Sequence, residues 1–521
     1  MADAKREIER KYESDESGLP DLTGTGGVAA VLDKGLVDLD ATYYDTADER
    51  LAAASLTLRR RTGGSDAGWH LKFPVAPGIR DEIRAPLSDT VPEEIAALVR
   101  SRVRDRALVP LVRLRSARDV RHLVDTEGTL LAEASVDTVT AERLTGAGGA
   151  VQWTEIEVEL ADGGDPALLD QLEKRLRAAG VRPSASPSKL ARALEQTGSP
   201  AEHRRGKKPA PSEPAKPAKR AKPAKPAKPA KAVTAGDHVL AYLRAQRDAL
   251  VELDPAVRRD LPDAVHRMRV ATRRARSTLR TFTGILDRAV TGPVGADLKW
   301  LAGELGVERD QEVLADRLLT ALDALPPDLV TGPVRERLTA WADARHGGAH
   351  AHLTGILDSR RYLALLDALD TLLADPPLRG AAGGKPRKAL AKAVRKAEKK
   401  LKAKMEHALD QPAGKERDLA LHEARKKAKR TRYAAEAATE ALGADARSLT
   451  RAMKSLTTLL GDHQDSVMAR RTLRELAAVA HAAGESAFTY GLLYGREEAR
   501  AARLEEELPG RWKEAMAQAT G

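Results

Sequence analysis

The 521 residues include no cysteine, which excludes disulfides, thiolate metal ligands and a cysteine nucleophile. Aromatic residues are scarce at 3%, too few for the stacking platforms that single-stranded nucleic acid needs or for the aromatic girdles of a membrane barrel. No apolar run approaches the ~20 residues of a membrane helix. Residues 1 to 20 are charged throughout, so no signal peptide is read and the expected location is the cytoplasm, without a membrane partner. Charge, by contrast, is plentiful at 31% of residues, and the net charge is +11. Lys207 to Lys231 alone carries nine basic residues and one Glu, or +8, which leaves about +3 for everything else. A polyanion site in the folded parts must therefore come from local clustering. The length admits two or three domains with full cores.

Residues 5 to about 160 read as strands that share one oddity, a face made of charge. In Glu7-Ile8-Glu9-Arg10-Lys11 the two-residue alternation puts Glu7, Glu9 and Lys11 on one side. The same alternation pairs Arg59 with Arg61, His70 with Lys72, Arg113 with Arg115 and Glu133 with Asp137, and groups Arg80, Glu82 and Arg84. In Thr154 to Leu160, Glu155, Glu157 and Glu159 face one way while Ile156, Val158 and Leu160 face the other. Charge is costly to bury unless it meets water, a metal or a charged ligand. Strands of this kind predict a closed antiparallel barrel or tunnel with a polar interior, its apolar exterior covered by helices near Pro92 to Arg104 and Pro166 to Ala179.

The expected interior contains the cations Arg59, Arg61, Lys72, Arg113, Arg115 and Lys189. It also contains the hard oxygen ligands Glu7, Glu9, Asp137, Glu155, Glu157 and Glu159. Cations alone would hold a phosphate chain and carboxylates alone a divalent metal, so the two together describe a site for a metal-bound triphosphate. The competing reading is a salt-bridge network that fills a barrel.

Glu7-x-Glu9-x-Lys11, Tyr44-Asp45-Thr46 with Leu58-Arg59-x-Arg61, Lys72, Glu155 to Leu160 and Ser188-Lys189 resemble, in order, the motifs of the CYTH family, the triphosphate tunnel metalloenzymes, over about residues 5 to 198. The resemblance implies an eight-stranded antiparallel tunnel with flanking helices that hydrolyses triphosphate-type substrates with Mg²⁺ or Mn²⁺. Glu7, Glu9 and Lys11 would be catalytic, Arg59, Arg61, Lys72, Arg113, Arg115 and Lys189 would bind substrate phosphate, and the six carboxylates would carry metal. The family also holds adenylate cyclases, thiamine triphosphatases and RNA triphosphatases. Ala141 to Val151, with Gly146, Gly148 and Gly149, departs from the pattern as a loose hairpin.

The expected domains are residues 1 to 198, a linker at 199 to 233, and residues 234 to 521. Pro-Ala-Lys triplets in the linker favour polyproline II with lysines along one edge, a soluble spacer that could also hold polyanions nearby. Beyond Ala235 the chain turns Ala- and Leu-rich and helical, and it contains a duplication. His266-x-x-Arg269-x-x-x-Arg273-Arg274 matches His422-x-x-Arg425-x-x-x-Lys429-Arg430, and Leu305-Gly306 with Asp310 matches Leu460-Gly461 with Asp465. The basic residues form helical stripes: His266, Arg269, Arg273, Arg276 and Arg280 in one half, His422, Arg425, Lys429 and Arg432 in the other. A third basic helix, Lys385 to Lys404, spreads its charge all round and reads as a solvated face.

These motifs resemble the CHAD family over about residues 234 to 515, which implies a helical bundle that binds inorganic polyphosphate through both stripes together with Arg274, Lys426 and Arg430. Lys429 in place of Arg273 substitutes a point charge for a bidentate fork. The resulting expectation is metal-dependent hydrolysis of tripolyphosphate or polyphosphate-type substrates, with a helical domain collecting the polymer. The alternatives are a non-catalytic polyphosphate-binding protein and a nucleotide cyclase; nucleic acid is disfavoured.

Overall fold

The computed structural model describes residues 3–14, 18–146, 148–197 and 233–520, and within them all side chains except those of 307–312, 345–347, 349, 519 and 520. Nearly all of the proposed linker, residues 199 to 232, lies outside the described residues. The chain divides into two compact units, Met1–Pro223 and Ala224–Gly521.

In the first unit the strands are β1 (Asp3–Glu13), β2 (Ala30–Asp45), β3 (Thr57–Thr62), β4 (Gly68–Ala76), β5 (Ile79–Ala85), β6 (Val109–Val124), β7 (Leu130–Arg143), β8 (Ala150–Leu160) and the two-residue β9 (Arg182–Pro183). The sheet order is β5-β4-β3-β2-β6-β7-β8-β1-β9, and β1 also pairs with β5. One half of β1, Asp3 to Ile8, joins β5, and the other half, Glu9 to Glu13, joins β8. That double pairing closes eight antiparallel strands into a tunnel, as expected from the sequence.

Two of the three apolar clusters of this unit lie outside the barrel. Helix α1 (Arg50–Ala53) and α2 (Glu93–Val103) cover Leu58, Trp69, Leu71 and Ile83. Helix α3 (Ala167–Ala178) lays Leu168, Leu169, Leu172 and Leu176 over Ala132, Ala134, Ile156 and Val158. Helix α4 (Lys189–Thr197) instead packs Leu190 and Ala193 against Val139, Ala141 and Trp153 on the interior face of β7 and β8, the face that carries Asp137 and Glu155. α2 and α3 sit where the alternation predicts them. α4 is not legible that way, because Lys189 reads there as an interior cation rather than the start of a helix.

Asp45, in the Tyr-Asp-Thr motif, is fully buried and does not reach the tunnel. Its Oδ1 accepts from the amides of Thr46 (2.6 Å) and Leu51 (2.9 Å), and Oδ2 from that of Ala52 (2.9 Å), so it caps α1 and fixes the β2–β3 connection. Gly78 turns β4 into β5 at φ +73, and a Cβ there would meet the Glu9 carbonyl at 2.7 Å. Only glycine fits this approach, which anchors the β1 backbone at Glu9.

In the second unit the helices are α5 (Ala235–Arg258), α6 (Ala264–Thr281), α7 (Arg288–Asp323), α8 (Val334–Asp358), α9 (Arg360–Ala374), α10 (Pro386–Leu409), α11 (Lys415–Ala437), α12 (Thr439–Leu442), α13 (Ala444–Ala482) and α14 (Phe488–Thr520). Thr234 and Asp237 form a capping box at the start of α5. The duplicated motifs fall on α6 with α7 and on α11 with α13. On α6 the buried positions Val265, Met268, Thr272, Ala275 and Leu279 are each followed by a stripe residue, and on α11 Leu421, Ala424 and Ala428 behave alike. The apolar face that docks each helix thus determines where its cations emerge.

Asp45→Ala removes a carboxylate acceptor from three buried amides and should destabilise the first unit by about 2–3 kcal/mol. Chemical denaturation followed by Trp fluorescence measures this, and an unchanged midpoint would contradict the capping role.

Candidate active site and phosphate groove

The tunnel encloses a cavity of about 510 Å³ whose walls differ in charge. Arg59, Arg61, Lys72, Arg80, Arg84 and Arg118, from β3 to β6, supply cations, whereas Glu7, Glu9, Glu157 and Glu159, from β1 and β8, supply carboxylates. Strand register explains the acidic wall. Glu9 lies directly opposite Glu159 and Asp137 directly opposite Glu155, pairings that repel unless a cation intervenes.

Lysines and arginines of the wall intervene at several points. Lys72 Nζ donates to Glu7 Oε2 at 2.5 Å, and Lys5 to Glu159 at 2.9 Å. Lys11 Nζ lies 3.1 Å from Glu9 Oε2 and also contacts Glu157. Burial pushes the Glu7 carboxyl up in spite of Lys72, with Glu82 and Glu159 adding to the push. Burial opposes ionisation of Glu9 as well, but Lys11 and Lys72 outweigh it and hold that carboxyl below its usual range. At Glu7, burial with the nearby Glu82 and Glu159 thus outweighs the Lys72 ammonium. Glu7 and Glu9 of β1 and Glu157 and Glu159 of β8 put four hard oxygen donors on two adjacent strands, chemistry suited to a divalent cation.

At Asp137 and Glu155 the geometry differs from the sequence expectation. Ser188 accepts from the Ala191 amide at 3.1 Å and caps α4, whose first residue, Lys189, enters the tunnel. Its Nζ lies 2.8 Å from Asp137 Oδ2, 2.8 Å from Glu155 Oε1 and 2.5 Å from Glu157 Oε1. The three carboxylates cluster closely enough to chelate an ion, and the ammonium sits among them. Burial opposes the charge on Lys189, yet Asp137, Glu157 and Glu155 together raise its pKa. Asp137 and Glu155 thus hold a lysine here, and Glu157 alone is shared with the remaining acids.

Arg113 and Arg115 fall outside the cavity. Arg113 forks onto Asp40 on the outer face (Nε to Oδ1, 2.9 Å), and Arg115 is 60% exposed at its side chain. The interior positions of β6 are Leu114, Ser116, Arg118 and Val120. Arg118, which the sequence reading passed over, donates to Asp137 Oδ1 at 2.7 Å and to Glu157 Oε2 at 2.5 Å. The signal that could have found it is its pairing opposite Asp137. Deeper in, Arg59 donates to the Tyr43 hydroxyl at 3.4 Å, and Tyr43, though buried, titrates below the usual phenol range because Arg59, Lys189 and Lys72 surround it. Burial and the neighbouring Arg59 and Arg118 lower Arg61 to about 9.

In the helical unit, α6 and α11 bring both basic stripes to two cavities of about 570 and 440 Å³ that share Arg273, His422, Arg425, Lys429 and Tyr433. His266, Arg269 and Arg432 line the larger, with Arg317, Asp462 and Asp465; Arg276, Arg280, Lys426 and Arg430 line the smaller, with Lys299 and Lys427. Arg274 lines neither and instead donates to Glu436 at 2.9 Å beside Tyr433, tying α6 to α11. Asp310 lies among the residues whose side chains are not described. Burial and mutual repulsion lower Arg276 and Arg430, and burial with Lys426 lowers His422. The largest effect is at Lys429, where burial and then Arg425, Arg273, Arg269 and Arg432 push the ammonium down to about 7. A groove that depresses its own cations in this way is built to receive negative charge.

Residues 5–194 match the CYTH domain, and residues 241–474 the CHAD domain. Over 518 residues the chain is 41% identical to the protein Rv2226 of Mycobacterium tuberculosis, covering 96% of this chain and 94% of the relative. Among solved structures, PptA from Streptomyces chartreusis covers 53% of this chain and 99% of its own length at 23% identity and a TM-score of 0.45. The CHAD domain of the plant Ricinus communis covers 54% of this chain and 91% of its own at 25% identity and a TM-score of 0.43. CYTH domains are tunnel metalloenzymes that bind divalent metal ions, and no described helix is long and apolar enough to cross a membrane. With its tunnel unit followed by its helical unit, the chain belongs to the family of proteins in which a CYTH domain precedes a CHAD domain.

Proposed function

We propose that this protein is a metal-dependent phosphohydrolase of tripolyphosphate or polyphosphate ends, whose helical domain binds the polymer. The observation that carries the reading is the polarised tunnel, with the carboxylates Glu7, Glu9, Glu157 and Glu159 facing Arg59, Arg61, Lys72 and Arg118 across one cavity. Mg²⁺ or Mn²⁺ bound to those carboxylates supplies electrophilic stabilisation of phosphoryl oxygens. The arginines grip phosphate oxygens in bidentate fashion and hold the chain in line for attack. Lys11 spaces Glu9 from Glu157, Lys189 offsets Asp137, Glu155 and Glu157, and Lys72 with Arg59 and Arg61 opposes the negative charge that develops on the phosphate in the transition state. Arg113 and Arg115 have no part in this site. In the helical groove, phosphates replace the mutual repulsion of the stripe cations with paired contacts.

The test is incubation of the full chain with tripolyphosphate, long-chain polyphosphate, thiamine triphosphate and ATP under Mg²⁺ or Mn²⁺, with product analysis. Orthophosphate release is expected; a cyclic nucleotide from ATP would move the reading to a cyclase, and no product from any substrate would leave a binding protein. Glu9→Gln, or excess chelator, should reduce turnover at least a hundredfold, on the order of a lost transition-state charge contact. Undiminished turnover in either case would contradict the metal assignment.

Lys429 makes polymer binding depend on pH. With its pKa near 7 in the empty groove, it must take up a proton to meet phosphate at alkaline pH, so affinity should fall as pH rises through that value. Lys429→Arg keeps its charge and should flatten this decline. Polyphosphate binding measured between pH 6 and 8.5 decides it, since titration of the polymer and of the other groove residues is common to both proteins. Identical pH profiles would assign the dependence elsewhere.

A further inference from the structure

Two glycines of the duplicated motif, Gly306 on α7 and Gly461 on α13, occupy helix interiors, where glycine costs roughly 0.5–1 kcal/mol relative to alanine. Neither adopts a left-handed backbone, so no turn requires them. Other glycines of α7, Gly292, Gly295 and Gly303, have nothing within 4 Å of where a Cβ would stand. At Gly306 a Cβ would meet Arg269 at Nη2 (3.0 Å), Cζ (3.3 Å) and Nε (3.4 Å). At Gly461 it would meet the same atoms of Arg425 at 3.2, 3.8 and 3.6 Å. In both cases the three nearest atoms belong to the guanidinium, so each arginine head packs directly against its glycine, with Nη2 the closest atom. The arrangement repeats in both halves, with Gly306 following Arg269 by 37 residues and Gly461 following Arg425 by 36.

We propose that Gly306 and Gly461 are positioning residues, seats that hold the guanidinium planes of Arg269 and Arg425 in the orientation that engages polyphosphate. The inference deepens the phosphate-groove reading and rests on it. A guanidinium binds phosphate through two parallel N–H bonds only when its plane is set, so the seat fixes the direction in which the fork points. A methyl group would disturb only the end of a flexible side chain. The fold therefore tolerates alanine at either position, and the helix gains from it, while the fork is lifted out of place.

The effects on stability and affinity thus have opposite signs. In the full chain, Gly306→Ala and Gly461→Ala should leave the melting temperature unchanged or raised. Each should also weaken long-chain polyphosphate binding about tenfold, the equivalent of roughly one charge-assisted hydrogen bond. Binding that remains in the Arg269→Glu, Arg425→Glu variant is the background to subtract. In an Arg425→Lys chain, which has no fork to seat, Gly461→Ala should have no further effect, and this non-additivity separates seating from a general helix defect. If the unaltered chain shows no binding above that background, the groove reading itself fails. If it binds and the alanine variants bind equally well, or lose affinity to the same extent in the Arg425→Lys chain, the seating inference is overturned.

Discussion

The first unit depends on one constraint: closing its sheet puts charge inside, where water can no longer disperse it. Double pairing of β1 with β5 and β8 brings Glu9 opposite Glu159, and the register of β7 on β8 brings Asp137 opposite Glu155. Each such pair costs free energy unless a cation bridges it. Lys72, Lys11, Arg118 and Lys189 are the protein's internal answer, and at Glu7 burial outweighs the cation it is given. Stability must come from elsewhere. It comes largely from the outside of the barrel, where Trp69, Ile83, Ile156 and Val158 pack under α2 and α3.

The helical unit meets the converse condition, since the charges that line its two cavities are mostly of one sign. Burying the apolar positions of α6 and α11 obliges the neighbouring stripe to emerge beside its counterpart, and burial of Lys429 together with the resulting repulsion makes it titrate near neutrality. Arg274 escapes this fate because Glu436 and Tyr433 take it into the contact between the two helices. The tunnel therefore balances cations against acids, while the groove leaves cations unbalanced. The first arrangement suits a site where a reaction changes the charge; the second suits a site that holds a polyanion and releases it.

Much of this was legible in the chain. Alternation of period two in Glu7 to Lys11 and Glu155 to Glu159 determined that these strands carry charge on one face, and the complementary apolar faces required helices outside. Spacings of three and four in the repeated His-Arg motifs determined the stripes. Alternation says which residues share a face, however, and not which face is inside. In β6 both faces carry arginine, and pairing with Asp40 on the outer side of β2 turned Arg113 and Arg115 outward and Arg118 in. A one-residue difference in register reverses every side chain, and register is set by the neighbouring strands. Lys189 shows the same limit: its charge was visible, but only the approach of α4 to β7 and β8 put its ammonium among Asp137, Glu155 and Glu157. The sequence by itself determined the periodicities and the chemical inventory. Tertiary structure decided which charges meet, because those meetings depend on contacts between segments far apart in the chain, such as Gly461 beneath Arg425, that no local pattern encodes.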